Sequence, residues 1–190
     1  MPMILDKTEV VPLVENPEKY FRNKHLNRYE LETNLAKKSI EEFSEELIEK
    51  IQKEQNSILV VVNTVKCSQR LYELIKVGLI NCGFNLKNTT WYGAAEFENL
   101  ELINLNSNIV PLHRLKRIEK IKGERKRKVI IATQLVEAGV DIDVDIVYRD
   151  FAPIDSIIQS AGRCNRNNKK KKGRVFLICL LYTSPSPRDS

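Results

Sequence analysis

Two arginines near the end of the chain, Arg163 and Arg166, have the residue type and the spacing that suit a phosphate group. A guanidinium is planar, permanently charged and able to donate two parallel hydrogen bonds to phosphate oxygens. Residues three apart lie on one side of a helix, so a helix that continues through this segment would bring both groups to one place. Such a pair suits the charge on a transferred phosphoryl group, and a nucleoside triphosphate is the natural ligand.

Short apolar runs precede these arginines and predict the strands that position them. Val129–Ala132 and Ile146–Tyr148 are rich in β-branched residues and bounded by Thr, Gly and Asp, which predicts buried strands of a parallel sheet. Ser57–Val62 is apolar on both faces and predicts a central strand covered by helices on each side. Polar residues gather where these strands end, and ligands of open α/β sheets bind at the carboxyl ends of the strands.

Helical periodicity supplies the layers around the sheet. Apolar residues recur at helical spacing from Ser39 to Lys53, with Ser39 placed as a cap, and a second helix opens at Asn63-Thr64. A third helix, over 156–166, is expected to bury one face and to leave both arginines projecting. Its predicted buried residues are Ile157, Ile158 and Ala161.

Residues 111–123 predict one more amphipathic helix, and three other segments are less regular. Leu112, Leu115, Ile118 and Ile121 form the expected buried face of this helix. Its basic residues are expected to face outward, either as a solvated surface or as contacts to a nucleic-acid backbone. They are His113, Arg114, Lys116 and Arg117. The other predictions are an edge strand at 29–31, a weak strand or loop at 91–108 and a final strand at 173–181.

Four segments, in order along the chain, resemble motifs of superfamily 2 helicases. A single motif of this kind would be a moderate signal, whereas four in the right order are specific. They are 58–65 (ILVVVNTV, motif IV), 109–118 (IVPLHRLKRI, a connecting segment), 131–143 (IATQLVEAGVDID, motif V) and 159–166 (QSAGRCNR, motif VI).

The detail at residues 147–150 and 153–159 is similar to the CRISPR-associated helicase-nuclease that degrades DNA in type I systems. The resemblance runs from about residue 56 to residue 175. It implies an α/β fold of the RecA-like, P-loop NTPase type, a three-layer sandwich with a mainly parallel sheet, serving as the second helicase lobe. The predicted domain covers 36–181. A lead-in from a first lobe is expected at 1–35, and a tail that matches nothing in the family at 182–190.

The resemblance also implies the residues of a nucleotide site. Arg163 and Arg166 would stabilise charge on the γ-phosphate of ATP, and Gln159 would sense the phosphates. Asp141 matches the family position that accepts a hydrogen bond from the ribose, and a residue of this type also suits a simple helix or turn cap. Gly139 would let the backbone approach the nucleotide closely.

A nucleic-acid site is implied at three other positions. Asn63, Thr64 and Thr133 match family positions that hold the backbone of single-stranded DNA, where hydroxyls and amides bind phosphates without reading sequence. Thr64 equally suits a simple helix cap. The segment from Thr133 to Asp141 would join the two sites, and we expect it to couple closure on ATP to the grip on DNA.

Several parts of a complete enzyme are absent from this sequence. Gly78 and Gly83 have the spacing of P-loop glycines, but Phe84-Asn85 follows where Lys and Ser or Thr are required. The sequence also lacks the His-Asp dipeptide of the family's nuclease domain. The expected cofactor is ATP with Mg²⁺, whose metal ligands would lie on the first lobe. The expected partners are that first RecA-like lobe, the HD nuclease domain, single-stranded DNA and the CRISPR interference complex.

Composition bounds these interpretations. With 42% hydrophobic and 29% charged residues, the 190-residue chain is typical of one globular domain. The net charge of +6 is compatible with a nucleic-acid partner, although basic runs are also usual in solvated loops. No apolar run is long enough for a bilayer and no signal peptide is evident, which predicts a cytoplasmic location without membrane contact. The four cysteines lack zinc-ligand spacing, so no metal site is expected, and Cys164 should fill space beside the arginines.

Two other interpretations remain open at this stage. The same fold could serve as a non-catalytic module that binds nucleic acid or a partner, and a fragment of another superfamily 2 helicase would share most of the motifs. We expect this chain alone to be inactive, because the residues that bind and orient ATP would lie elsewhere.

Overall fold

The computed structural model describes residues 28–123, 126–136, 140–167 and 172–181, with the backbone alone for Asn34. Strands and helices alternate along most of this length. The elements are β1 (Tyr29–Lys38), α1 (Ile40–Lys53), β2 (Ile58–Val61), α2 (Val65–Asn81), β3 (Leu86–Thr89), β4 (Ala95–Phe97), β5 (Leu100–Leu105), α3 (Pro111–Lys122), β6 (Arg127–Ala132), a 3₁₀ turn (Gln134–Val136), β7 (Ile146–Asp150), α4 (Ile154–Ala161) and β8 (Gly173–Leu180).

The described strands form one sheet in the order β1-β8-β7-β2-β6-β5-β4-β3. All neighbours from β1 to β5 run parallel, and β4 is antiparallel to both β5 and β3. At the centre, Ile58 of β2 is in register with Val129 of β6 and with Ile146 of β7. The mainly parallel sheet that the sequence predicts is therefore confirmed.

Helices cover both faces of this sheet, which makes three layers. On β2, Ile58 and Val60 join the core beneath α1 and α2, whereas Leu59 and Val61 join the core beneath α3 and α4. All four side chains are fully buried. This burial on both faces explains why the strand is a continuous apolar run instead of an alternating one.

The helix predicted at 39–53 is confirmed, together with its cap. The Ser39 hydroxyl accepts a hydrogen bond from the Glu42 amide, and the Glu42 carboxylate accepts one from the Ser39 amide. This reciprocal pair satisfies two backbone donors at the helix start. The edge strand predicted at 29–31 is also present and extends to Lys38, so the predicted domain start at residue 36 falls inside it. The predicted tail at 182–190 and most of the lead-in lie outside the described residues.

The prediction of weak structure at 91–108 is wrong. β5 lies inside the sheet between β6 and β4, and all six of its residues are buried. Glu101 and Asn104 are polar and interrupt the apolar pattern of this strand in the sequence. Both side chains nevertheless have partners in the fold. Glu101 pairs with Lys120, and the Asn104 side chain donates to the Ser68 carbonyl at 2.7 Å.

The predicted orientation of α3 is wrong in part. Ile121 is buried as expected, but Leu112 and Leu115 are 56% and 52% exposed. Arg117, which was expected to face solvent, points inward and donates to the carbonyls of Tyr92 (2.6 Å) and Asn104 (2.5 Å). Those two partly buried hydrogen bonds stabilise the inward arginine, and the leucines face outward as a result.

Candidate functional site

The candidate residues lie at two opposite edges of the sheet. Thr133 follows the carboxyl end of β6, at the same edge as Asn63, which follows β2. The chain then returns to the amino edge, where the Asp145 amide donates to the Ser57 carbonyl at 3.1 Å, just before β2 begins. Asp141 lies in this returning segment. Asp141 and the arginine pair therefore lie at the amino edge of the sheet, and not at the carboxyl ends of the strands, where the sequence led us to expect ligands.

The arginine pair is held by a turn and not by the continuous helix that the sequence suggests. α4 ends at Ala161, and the Cys164 amide donates back to the Ala161 carbonyl at 2.9 Å. The turn then docks on Val144, whose carbonyl accepts from Asn165 and whose amide donates to Arg163. Asn165 adopts the left-handed conformation, with φ of 45°, which ends any helical continuation.

Arg166 binds the returning segment through its side chain and its backbone. Its guanidinium lies 3.1 Å from the Asp141 carboxylate, and its amide donates to Asp143 at 2.8 Å. Burial lowers the pKa of Arg163, and so does the positive charge of Arg166, while Asp141 opposes the shift. The structure thus brings Arg163, Arg166 and Asp141 into one electrostatic cluster.

A cavity of about 670 Å³ opens beside this cluster. Asp141 belongs to its wall and so connects the cavity to the arginine pair. Its volume lies within the usual range for small-ligand sites, about 300–1,000 Å³. The other charged residues of the wall are Lys122, Lys126, Lys128, Asp143 and Asp145.

Two other predicted nucleotide residues have different outcomes. Gln159 is exposed on the last turn of α4, one helical turn before Arg163, as the sequence predicts. Gly139 lies outside the described residues. Ile158 is 57% exposed instead of buried, so the apolar face of α4 is formed by Ile157 and Ala161.

Cys164 packs beneath the turn that carries Arg163 and Arg166. The residue is fully buried, and its Sγ lies 3.4 Å from the Asp145 carbonyl and 3.5 Å from the Arg174 carbonyl. Burial raises the pKa of the thiol to about 12, so it remains neutral at physiological pH. Its expected role of filling space beside the arginines is consistent with these contacts.

At the carboxyl edge, Asn63 and Thr64 are engaged within the fold. The Asn63 amide donates to the Asp150 carboxylate at 2.8 Å and to the Phe151 carbonyl at 2.7 Å. The Thr64 hydroxyl accepts from the Cys67 amide at 3.1 Å and caps α2. Capping was one of the two roles open to Thr64. Asn63 and Thr64 both remain exposed at this edge.

Sequence reasoning missed the buried pair beneath Asn63. Arg149 is completely buried and donates to the Asn63 side chain at 2.8 Å and to the Ser156 hydroxyl at 2.9 Å. Burial raises the pKa of the neighbouring Asp150, although hydrogen bonds from the Leu180 and Phe151 amides oppose that shift. The sequence feature that could have revealed this pair is the charged dipeptide Arg149-Asp150 at the end of the otherwise apolar strand Ile146–Asp150.

Thr133 lies directly between β6 and the 3₁₀ turn. Its amide donates to the Leu105 carbonyl at 3.1 Å, and its carbonyl accepts from the Val136 amide at 3.3 Å. The residue is 8% exposed. Because its own N–H is engaged, any contact to a phosphate would come from the hydroxyl.

The three-layer fold, with a mainly parallel sheet and an arginine cluster at its amino edge, defines the chain as a RecA-like helicase lobe, as the sequence predicts. Residues 54–169 match the family model described as CRISPR-associated nuclease/helicase Cas3, C-terminal. This chain belongs to that family, which confirms the resemblance carried by its four motifs.

Individual proteins show the same relationship. A CRISPR-associated nuclease/helicase Cas3 from Haloferax volcanii is 43% identical over 87 residues, which cover 43% of this chain and 9% of that protein. The structure of T. fusca Cas3-ATP superposes with a TM-score of 0.63 at 20% identity, covering 85% of this chain and 19% of that one. The structure of Mycobacterium smegmatis helicase Lhr bound to ssDNA and AMP-PNP superposes with a TM-score of 0.59 at 19% identity, covering 80% of this chain and 20% of that one.

The chain thus spans between about a tenth and a fifth of the length of these relatives. Among the helices that the structure describes, none combines the length and the apolar character needed to span a bilayer.

Proposed function

We propose that this chain is the second lobe of an ATP-dependent DNA helicase or translocase that acts in type I CRISPR interference, an antiviral defence. In this proposal the amino edge of the sheet meets ATP, and the carboxyl edge holds the backbone of single-stranded DNA. Family membership supports the helicase class, and the two separate clusters of polar residues support the division of labour.

The observation that carries the proposal is the cluster of Arg163, Arg166 and Asp141. Two guanidinium groups held close together repel each other, and an anion placed between them relieves that repulsion. The ion pair between Arg166 and Asp141 is exposed, so it contributes only about 0–1 kcal/mol and a ligand can replace it. The pair is therefore suited to the γ-phosphate of ATP.

The remaining nucleotide contacts follow from position. Gln159 is exposed one turn before Arg163 and would contact the phosphates. Asp141 would accept a hydrogen bond from the ribose once it is released from Arg166. Gly139 would allow the backbone to come close to the nucleotide.

On the carboxyl edge, Asn63, Thr64 and Thr133 would contact successive phosphates of a single strand. Asn63 and Thr64 are exposed there, and Thr133 lies beside them because β2 and β6 are adjacent strands. Contacts of this kind fix the strand without reading its sequence.

The proposed partners supply what this lobe lacks. A first RecA-like lobe would contribute the P-loop and the ligands of Mg²⁺, and an HD nuclease domain and the CRISPR interference complex would complete the assembly. In the part of the chain that the structure describes, no group of three or more His, Cys, Asp or Glu side chains is arranged to hold a metal ion.

An ATPase assay of this chain, with and without a separately expressed first lobe and single-stranded DNA, tests the proposal. We expect no turnover by the chain alone and DNA-stimulated turnover when the lobes are combined. In the combined assay, Arg163→Ala should lower kcat by about 10³-fold or more, the usual contribution of an arginine finger, while ATP still binds.

Arg70→Ala is the matched control. Arg70 on α2 is exposed and pairs with the exposed Glu41 on α1, on the face of the sheet opposite to α4, so its loss should leave kcat unchanged. Equal turnover by Arg163→Ala and the unsubstituted chain would contradict the finger role. Turnover by this chain alone would contradict the division between two lobes.

A further inference from the structure

The turn between β3 and β4 carries Trp91, the one tryptophan of the sequence, with 64% of its surface exposed. Tryptophan is enriched at interfaces, because its large ring is apolar and its N–H can find a polar partner. Two neighbouring rings hold the indole: Tyr92 at a centroid distance of 5.4 Å and His113 at 5.1 Å. Both are nearly perpendicular to it, at 86° and 84°, so neither lies stacked on an indole face.

The turn beneath Trp91 is fixed in place. The Thr90 hydroxyl accepts from the Ala94 amide at 2.9 Å, and the Gly93 amide donates to the Thr90 carbonyl at 2.8 Å. Gly93 has a φ of 82°, and a Cβ at this position would collide with the guanidinium of Arg117. Arg117 in turn donates to the Tyr92 carbonyl. A platform that is already ordered loses little conformational entropy when a ligand binds.

The location of this turn relates it to the proposed DNA contacts. β3 and β5 are both antiparallel to β4, so the end of β3 lies at the same edge of the sheet as the carboxyl ends of β5 and β6. Arg117 joins the turn to the end of β5 at the Asn104 carbonyl, and the neighbouring Leu105 carbonyl accepts from the Thr133 amide. Measured across the strands, Trp91 is thus about two to three strand spacings from β6, roughly 10–14 Å. The register places Thr89, at the end of β3, level with Val129 of β6.

We propose that Trp91 stacks against a nucleobase of the single-stranded DNA whose backbone lies along Asn63, Thr64 and Thr133. This inference rests on the proposed function and extends it by adding a contact to a base. A single strand a few nucleotides long can span this separation and contact both places. A flat, rigid, exposed indole suits this ligand, because every base offers a π-face and stacking is insensitive to sequence.

Because the chain has a single tryptophan, fluorescence excited at a wavelength that the six tyrosines do not absorb reports on this residue alone. The test titrates the full 190-residue chain with oligothymidylate, in low salt, while Trp91 emission and the anisotropy of a labelled oligonucleotide are followed. We expect binding with quenching of Trp91. An abasic oligonucleotide with the same phosphates should bind more weakly and leave the emission unquenched, because it offers no base to stack.

Substitutions provide the second readout, through anisotropy. Trp91→Leu keeps an apolar side chain but removes the π-face, and it should weaken binding of oligothymidylate at least about fivefold, the lower bound for one stacked base. Trp91→Phe retains a π-face and should lose less. The control is Ile80→Ala, at an exposed apolar position near the C-terminal end of α2. This variant should bind as the unsubstituted chain does.

The outcomes separate this inference from the proposed function. One outcome is binding that depends on Asn63 and Thr133 but shows no quenching and no effect of Trp91→Leu. This outcome would overturn the stacking role alone, and the exposed indole would then be assigned to contact with a protein partner. No binding of any oligonucleotide would overturn the proposed strand contacts, and the stacking role with them.

Discussion

Arg149 illustrates how one side chain stabilises a functional edge without facing it. Its guanidinium, 0% exposed, donates to the Val61 carbonyl, the Asn63 side chain and the Ser156 hydroxyl. The Asp150 carboxylate next to it is also buried and accepts from the Asn63 amide. Arg149 therefore links β2, β7 and α4 and holds Asn63 at the carboxyl edge.

Replacing this arginine should destabilise the whole domain. Arg149→Met leaves the buried Asp150 carboxylate without its neighbouring positive charge, and we expect the free energy of unfolding to fall by about 3–5 kcal/mol. Urea denaturation monitored by circular dichroism measures this change. Arg70→Met, which removes only an exposed ion pair, should cost less than about 1 kcal/mol. Similar losses for the two variants would contradict the structural role given to Arg149.

At the scale of elements, Glu54 joins the end of α1 to the strand β8. Its carboxylate contacts the guanidinium of Arg174, accepts from Asn56 at 2.7 Å and lies 3.3 Å from the Lys50 ammonium. Burial alone would raise the pKa of Glu54, but these three partners outweigh it, and the pKa falls to about 2 from an ordinary value of 4.5. The charged form is thus favoured in the folded state.

This shift makes part of the stability depend on pH. Because the folded pKa is lower than the unfolded one, the contribution of Glu54 is complete above about pH 4.5 and declines as the pH falls toward 2. Glu54→Gln should therefore lower the free energy of unfolding by about 1 kcal/mol at pH 7, a value discounted for partial solvent exposure. Urea denaturation at pH 3 should show a smaller difference. A difference that is constant between pH 7 and pH 3 would rule out this linkage.

At the scale of the whole molecule, one segment connects the two candidate sites. Thr133 lies at the carboxyl edge, bonded to Leu105, and Asp141 lies at the amino edge, paired with Arg166. Only eight positions along the chain separate these two residues, which lie at opposite edges of the sheet. Movement of the arginine cluster on ATP would reach the DNA edge through this short connection.

We expect Thr133→Ala to uncouple the two sites. In the combined two-lobe assay, loss of one hydrogen bond to a charged phosphate, about 1.5 kcal/mol, should reduce DNA stimulation of ATP turnover roughly tenfold. Turnover without DNA should not change. Thr133→Ser keeps the hydroxyl and should retain the stimulation. DNA-stimulated turnover that is the same in all three proteins would exclude the coupling role.

The sequence by itself determined the layers and the family. The runs Ile58–Val61, Val129–Ala132 and Ile146–Tyr148, which lie in β2, β6 and β7, are apolar at every position, and the helix at 39–53 repeats apolar residues at 3.6-residue spacing. Local pattern alone therefore predicts buried strands and packed helices. The order of the helicase motifs likewise depends only on residue identity along the chain.

Only the tertiary structure decided where the polar residues go. β5 escaped prediction because Asn104 is satisfied by Ser68, 36 residues away, and α3 rotates because Arg117 bonds to two carbonyls of other elements. The arginine cluster forms because the turn after α4 docks on Val144. A helical pattern in the sequence gives no sign of that contact. Burial follows local periodicity, whereas a buried polar group needs a specific partner, and that partner is brought near only when the chain folds.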